Sequence, residues 1–207
     1  NPTTQNITVN VTNVVENSSP IFTSNSSFTV AENQTSAANI TVTDADSDSI
    51  SFSLSGTDAD SFAISSSGAL TFNNAPDYET KDSYSLIITA SDGTTSVSQT
   101  VTIAISNINE VPQISALSSN QLPDENQVSV VTVSASDPDA STTLAYSLSG
   151  TDSSLFAISS SGVITFSSAP DYETPGDADG DNNYQINVVV SDGSLSVTQA
   201  ITIQVQN

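Results

Sequence analysis

The sequence predicts an all-β protein built as two tandem seven-stranded Greek-key β-sandwiches. Three observations carry that expectation. First, one block occurs twice: SLSGTD, FAISSSG and APDYET return in the same order, 94 positions on (Gly56 to Gly150). Second, short runs of Val, Ile, Leu and Phe alternate with Ser and Thr, the period of half-buried strands. Third, Ser-Gly, Asp-Gly and Pro-Asp turn signals punctuate those runs. Seven short strands in roughly 95 residues suit a sandwich.

In chain order, Ile7, Val9 and Val11 alternate with Thr8, Asn10 and Thr12. They match Val101, Ile103 and Ile105, and Ile201, Ile203 and Val205, at the ends of the two copies. Residues 1–19 are therefore read as the closing strand and linker of a truncated preceding repeat. Repeat one spans residues 20–106, a linker 107–112, and repeat two 113–207. In repeat one the expected strands are Ser27–Ala31, Asn39–Val42, Ile50–Leu54, Phe62–Ile64, Leu70–Phe72, Tyr84–Ala90 and Val97–Ile105. Tyr84, Leu86, Ile88 and Ala90 alternate and should face one core, with Phe52, Leu54, Phe62, Ile64, Leu70 and Phe72. Repeat two supplies Tyr146, Leu148, Phe156, Ile158, Ile164, Phe166, Ile186, Val188 and Val190. After APDYET the offset grows to 100 (Tyr84 to Tyr184), so repeat two carries six extra residues within 175–183.

Charge narrows the function. Lys81 is the only basic residue, against 23 acidic ones, for a net charge of −22. Nucleic acid is excluded as a partner, because phosphate binding needs Lys and Arg. An anionic membrane is disfavoured for the same reason, and no apolar run is long enough to span one, so a membrane enters only through regions outside this chain. With neither His nor Cys, the usual bases and nucleophiles are missing, which argues against an enzyme. Carboxylates without protein counter-ions either form a solvated acidic surface or bind cations.

Strand parity separates those alternatives. In a sandwich of alternating strands, successive connections alternate between the two ends. Glu32, Asp77 and Glu79 then fall at the lower end of repeat one, and Asp44, Asp46 and Asp92 at its upper end. In repeat two, Glu125, Asp171 and Glu173 are lower, and Asp137, Asp139 and Asp192 upper. The linker joins a lower end to an upper one, so Glu32, Asp77, Glu79, Asp137, Asp139 and Asp192 are expected to converge with Asn107, Asn109 and Glu110. Two like charges about 4 Å apart repel by roughly 4 kcal/mol at an effective dielectric near 20. Ca²⁺, which takes six to eight hard oxygen ligands, resolves that conflict. Glu16 with Asp44, Asp46 and Asp92 would make a partial N-terminal site, and Glu125, Asp171 and Glu173 a partial C-terminal one. In the inserted loop, Asp177, Asp179 and Asp181 place oxygens at alternate positions, a further candidate calcium loop.

These motifs resemble the cadherin repeat over residues 20–207. Ala31–Glu32–Asn33, Asp44–Ala45–Asp46, Asp77–Tyr78–Glu79 and Ala90–Ser91–Asp92–Gly93 follow the family's order, as do Glu125, Asp137–Pro138–Asp139, Asp171–Tyr172–Glu173 and Ser191–Asp192–Gly193. The resemblance implies an immunoglobulin-like sandwich architecture, and an extracellular or cell-surface module in which interdomain calcium stiffens a tandem rod for cell adhesion, including homophilic adhesion between like domains. The linker departs from the family's Asp-x-Asn-Asp-Asn-x-Pro at Ser106, Asn109 and Glu110, and is more similar to bacterial cadherin-like repeats of large surface adhesins. The absence of Trp counts against the strand-swap adhesion of vertebrate cadherins. The rival reading is a carbohydrate-binding or accessory module of a secreted polysaccharide-degrading system, with cell-surface polysaccharide as its partner.

Overall fold

The computed structural model describes residues 2–10, 16–139 and 142–207. The chain forms two compact units, Asn1–Asn107 and Ile108–Asn207. Among the described residues the regular structure is strand, with one short 3₁₀ turn in each unit, at Ala59–Ser61 and Ser153–Leu155. No helix among the described residues is long and apolar enough to cross a membrane.

The first unit contains β1 (Ile21–Phe22), β2 (Ser27–Ala31), β3 (Ser36–Asn39), β4 (Val42–Thr43), β5 (Ser51–Ser55), β6 (Phe62–Ile64), β7 (Ala69–Phe72), β8 (Ser83–Ser91) and β9 (Ser96–Ser106). One sheet runs β2-β9-β8-β5 and the other β3-β7-β6, with a separate β1-β4 pair. The long β8–β9 hairpin is the spine, pairing Tyr84 with Ile103, Leu86 with Val101 and Ile88 with Gln99. Strand β2 joins β9 in parallel. Side-chain period two puts Leu86, Ile88, Ala90, Val101 and Ile103 on the buried face, none more than 1% exposed. Leu86, Ile88, Val101 and Ile103 meet Ile40, Phe62, Leu70 and Phe72 from the second sheet's side of the core. Phe62, Phe72 and Tyr84 form an aromatic trio with centroids 4.5 to 5.6 Å apart.

The second unit repeats the plan: β10 (Gln113–Ser115), β11 (Asn120–Gln121), β12 (Ser129–Thr132), β13 (Ser134–Ser136), β14 (Ala145–Ser149), β15 (Phe156–Ile158), β16 (Val163–Phe166), β17 (Asn183–Ser191) and β18 (Ser196–Gln204). Its sheets run β11-β18-β17-β14 and β12-β16-β15, with a β10-β13 pair. Phe156, Phe166 and Tyr184 reproduce the aromatic trio, at 4.5 to 5.7 Å.

Two sequence expectations need correction. The single strand expected at Asn39–Val42 is two strands: β3 pairs with β7, and β4 with β1. Between them Ile40 is 1% exposed, and its N–H donates to Gly68 O at 2.8 Å. The chain changes sheets there, so one run of alternating residues serves two partners. The pair β1 was not expected, because two residues before a polar loop carry no readable period. At the N-terminus, residues 2–10 form no strand, and Ile7 and Val9 are 82% and 75% exposed. Their alternation suits a sheet edge, but no neighbouring strand is paired with them. Val11, together with residues 13–15 of the first linker, lies outside the described residues.

The sheet change depends on Gly68. Its φ is +85°, and a Cβ there would lie 2.0 Å from Ile40 O. Gly162 makes the same approach to Val133 O, at 2.4 Å. Replacing Gly68 by Ala forces backbone against backbone in a conformation that L-residues avoid. Gly68→Ala should destabilise the first unit by about 2 kcal/mol or more. The measurement is the denaturant midpoint, compared with Gly93→Ala, whose Cβ would meet nothing within 4 Å.

Candidate metal centres

Each unit carries acidic groups at both ends of its long hairpin. Strand β9 starts four residues after Asp92 and runs 11 residues, from Ser96 to Ser106. Those two ends therefore lie roughly 35 Å apart at strand rise.

At the Asp92 end of the first unit, the Asp46 N–H donates to Asp44 Oδ1 at 2.8 Å, and the Ser18 N–H donates to Asp46 Oδ2 at 2.7 Å. Asn17 Nδ2 donates to Asp92 Oδ2 at 3.0 Å. Asp92 also accepts from the Thr94 and Thr95 amides, which rigidify the turn between β8 and β9. Asp44 Oδ2 is buried and has no hydrogen-bond partner among the described residues. Asp48 joins this group, with its oxygens within 4.8 Å of those of Asp44 and Asp46. Glu16 is exposed and stands one residue before Asn17.

The upper end of the second unit is the same construction. The Asp139 N–H donates to Asp137 Oδ1 at 2.9 Å, the Glu110 N–H to Asp139 Oδ2 at 2.7 Å, and Asn109 Nδ2 to Asp192 Oδ2 at 2.8 Å. Asp137 Oδ2 is again buried without a partner among the described residues. Asn17 thus corresponds to Asn109, and the Ser18 amide to that of Glu110. Asn17 and Asp48 are not among the metal-ligand candidates expected from the sequence. The signal for Asn17 was Asn-x-x-Pro, present as Asn17–Pro20 and Asn109–Pro112. For Asp48 it was a third aspartate at alternate spacing.

The other ends also match. In the first unit Glu32 is 1% exposed, and it accepts the Tyr78 N–H at 2.8 Å. The Glu32 N–H donates to Ser106 O and the Asn33 N–H to Pro76 O, which fastens this turn to both neighbouring segments. Oxygens of Glu32 and Glu79 lie within 4.8 Å of each other. Asn107 Nδ2 donates to Glu79 Oε1 at 2.8 Å. Asp77 caps its own turn through Thr80. In the second unit Glu125 accepts the Tyr172 N–H, Asn207 donates to Glu173, and Glu125, Asp171 and Glu173 gather oxygens within 4.8 Å.

Electrostatics reflect this crowding. The Thr95 amide, then the Asn17 side chain, hold Asp92 well below the usual carboxylate range. Asp192 is lowered by the Asn109 side chain, then by the amides of Leu195 and Ser194. Elsewhere Lys81 forms an ion pair with Asp58, and the Ser85 N–H donates to the same carboxylate at 2.7 Å. Each end offers oxygen donors only, and two of the four carry a buried carboxylate oxygen with no partner among the described residues. A hard divalent cation such as Ca²⁺ fits that donor set; a zinc site would need His or Cys.

Paired sheets closed by acidic turns at both ends define a tandem β-sandwich module whose ends carry clusters of carboxylate oxygens. A family model of the cadherin domain matches residues 26–106 and 119–206. The chain belongs to the cadherin-domain family. The structure of mouse cadherin-23 EC22-24 is 27% identical, with a TM-score of 0.57, and covers 90% of this chain. This chain spans 64% of that one. Human protocadherin-24 EC1-2 is 22% identical, with a TM-score of 0.57, covering 93% of this chain and 99% of its own. Drosophila N-cadherin EC1-4 is 22% identical, with a TM-score of 0.60, covering 92% and 50%. The last two support the fold alone. No curated protein matches the sequence.

The Lys81 side-chain hydrogen bond and then the Ser85 amide lower the Asp58 pKa from its ordinary carboxylate value. The unfolded chain therefore takes up this proton first as pH falls. The ion pair contributes stability above the unfolded pKa and loses it as pH drops through the folded value. In chelator, acidification from pH 5 to pH 3 should destabilise the wild type more than Asp58→Asn, as read from thermal midpoints.

Proposed function

We propose that this chain is a calcium-rigidified segment of an extracellular adhesive rod. In this reading the lower end of repeat one and the upper end of repeat two, which the chain joins through Asn107–Glu110, share calcium. Glu32, Asp77, Glu79 and Asn107 come from the first repeat, and Asn109, Glu110, Asp137, Asp139 and Asp192 from the second. One observation carries the reading: Asp137 Oδ2, buried in an acidic cluster, has no hydrogen-bond partner among the described residues. A carboxylate oxygen removed from water and left unbonded is costly, and a cation removes that cost. The identical construction around Asp44 in the first unit supports it. The Asp44, Asp46, Asp92 and Asn17 group and the Glu125, Asp171 and Glu173 group are then the half-sites that successive repeats would complete.

An ion that binds the ordered junction but not a loose one shifts that equilibrium toward rigidity. The adhesive surroundings we infer are those of large bacterial surface proteins, in keeping with the acidic, Ser- and Thr-rich composition and the absent Trp. Partners are calcium first, and like domains of neighbouring molecules second.

Calcium at about 100 times its dissociation constant should add about 2.7 kcal/mol per ion, seen as a raised thermal midpoint. Asp137→Ala should remove most of that gain and lower the calorimetric stoichiometry. Small-angle scattering should show a longer, narrower particle with calcium than with chelator. A scattering curve that chelation leaves unchanged would reject the stiffening role.

A further inference from the structure

The two repeats treat one equivalent aspartate differently. Asp58 and Asp152 occupy equivalent positions, and each accepts the amide that opens the long hairpin, from Ser85 and Gln185 respectively, at 2.7 Å. In repeat one the other oxygen of this carboxylate bonds the Lys81 ammonium. Repeat two has no basic residue at all. There the inserted loop supplies the second donor: the Ala178 N–H reaches Asp152 Oδ1 at 3.0 Å. Asp152 is only 5% exposed.

This substitution brings three more carboxylates to a place where repeat one has a positive charge. Asp177, Asp179 and Asp181 flank Ala178 and Gly180, with oxygens within 4.8 Å of one another, and Asp177 is 8% exposed. A cleft of about 260 Å³ adjoins the loop, lined by Asp152 and Asp179 together with Thr151, Ala178, Asn183 and Gln185. Asn182 closes the loop, its N–H donating to Asp177 Oδ1 at 3.2 Å. Its side chain is nine-tenths buried and tethered through Nδ2 to Tyr172 O at 2.9 Å. The Oδ1 of that amide is enclosed and has no partner among the described residues. A buried acceptor lacking a donor, in the residue that closes an acidic loop, is a group that a cation can satisfy.

We propose that the Asp177–Asp181 loop is a calcium site separate from those at the repeat ends, and that its ion does for repeat two what Lys81 does for repeat one. Asp177, Asp179 and Asp181 offer hard oxygen donors, the enclosed Asn182 Oδ1 follows them directly in the chain, and the cleft beside Asp179 has room for the waters that complete a shell. The bound ion neutralises the loop and thereby holds Ala178 against Asp152. This site does not depend on calcium being shared between repeats.

The test is a calcium chloride titration of the chelated full chain, followed by amide NMR and calorimetry. In the wild type the Ala178 and Asn182 amide resonances should move with calcium. Asp179→Asn/Asp181→Asn should abolish that movement and lower the stoichiometry by about one ion. Asp192→Asn, at the far end of the hairpin, should leave the Ala178 response intact while weakening the repeat-end sites. Asp179→Lys should hold the Ala178 amide near its calcium-loaded position without calcium. Ala178 and Asn182 amides that stay unmoved while other sites saturate would overturn the proposal. So would a double variant that binds as many ions as the wild type. Should the double variant fail to fold, the wild-type amide shifts decide alone.

Discussion

The organising constraint is negative charge without protein cations. Lys81 is the one basic residue in the chain, and it is already paired with Asp58. Every other carboxylate needs water, a backbone amide or an external ion. The structure uses amides extensively: Asp44, Asp92, Asp137, Asp139, Asp152 and Asp192 each accept at least one. Those bonds orient the carboxylates but do not cancel their charge. Orientation without neutralisation is what a metal-binding turn requires before the metal arrives.

The sandwich makes this possible by keeping chemistry and packing apart. Alternation along β8, β9, β17 and β18 commits one face of each strand to the core. Polar turns then have no role in the core and can carry acidic residues at the ends. Long hairpins set the distance between those ends, while glycines such as Gly68 permit the strand crossing that closes the sandwich. Repeat two absorbs six additional residues because they fall in a connection, where backbone groups can be satisfied locally, and not in a strand.

Reading the sequence against the structure shows where pattern suffices. Strands with a clean period, such as β8 and β9, were legible to within a residue. The Glu32 turn, the Asp-x-Asp turns and the Asp-Gly turns sit at the ends that strand parity assigned to them. The Asn39–Val42 segment was misread because two short strands that belong to different sheets share one continuous alternation. Ile7 and Val9 show the converse: a strand-like pattern without a paired neighbour forms no strand. Asn17 was overlooked because an asparagine's role depends on which carboxylate its amide meets, 75 residues away.

By itself, the sequence determined the repeat, the all-β class, the acidic character and the residue types available to a cation, because these follow from composition, period and order. Only the tertiary structure decided which oxygens are buried without a partner among the described residues, Asn182 Oδ1 among them, and that Asp58 is held by a lysine while Asp152 is held by a loop amide. Such facts depend on contacts between residues far apart in the chain, and hydrogen-bond satisfaction is a property of three-dimensional neighbours, which no one-dimensional pattern records.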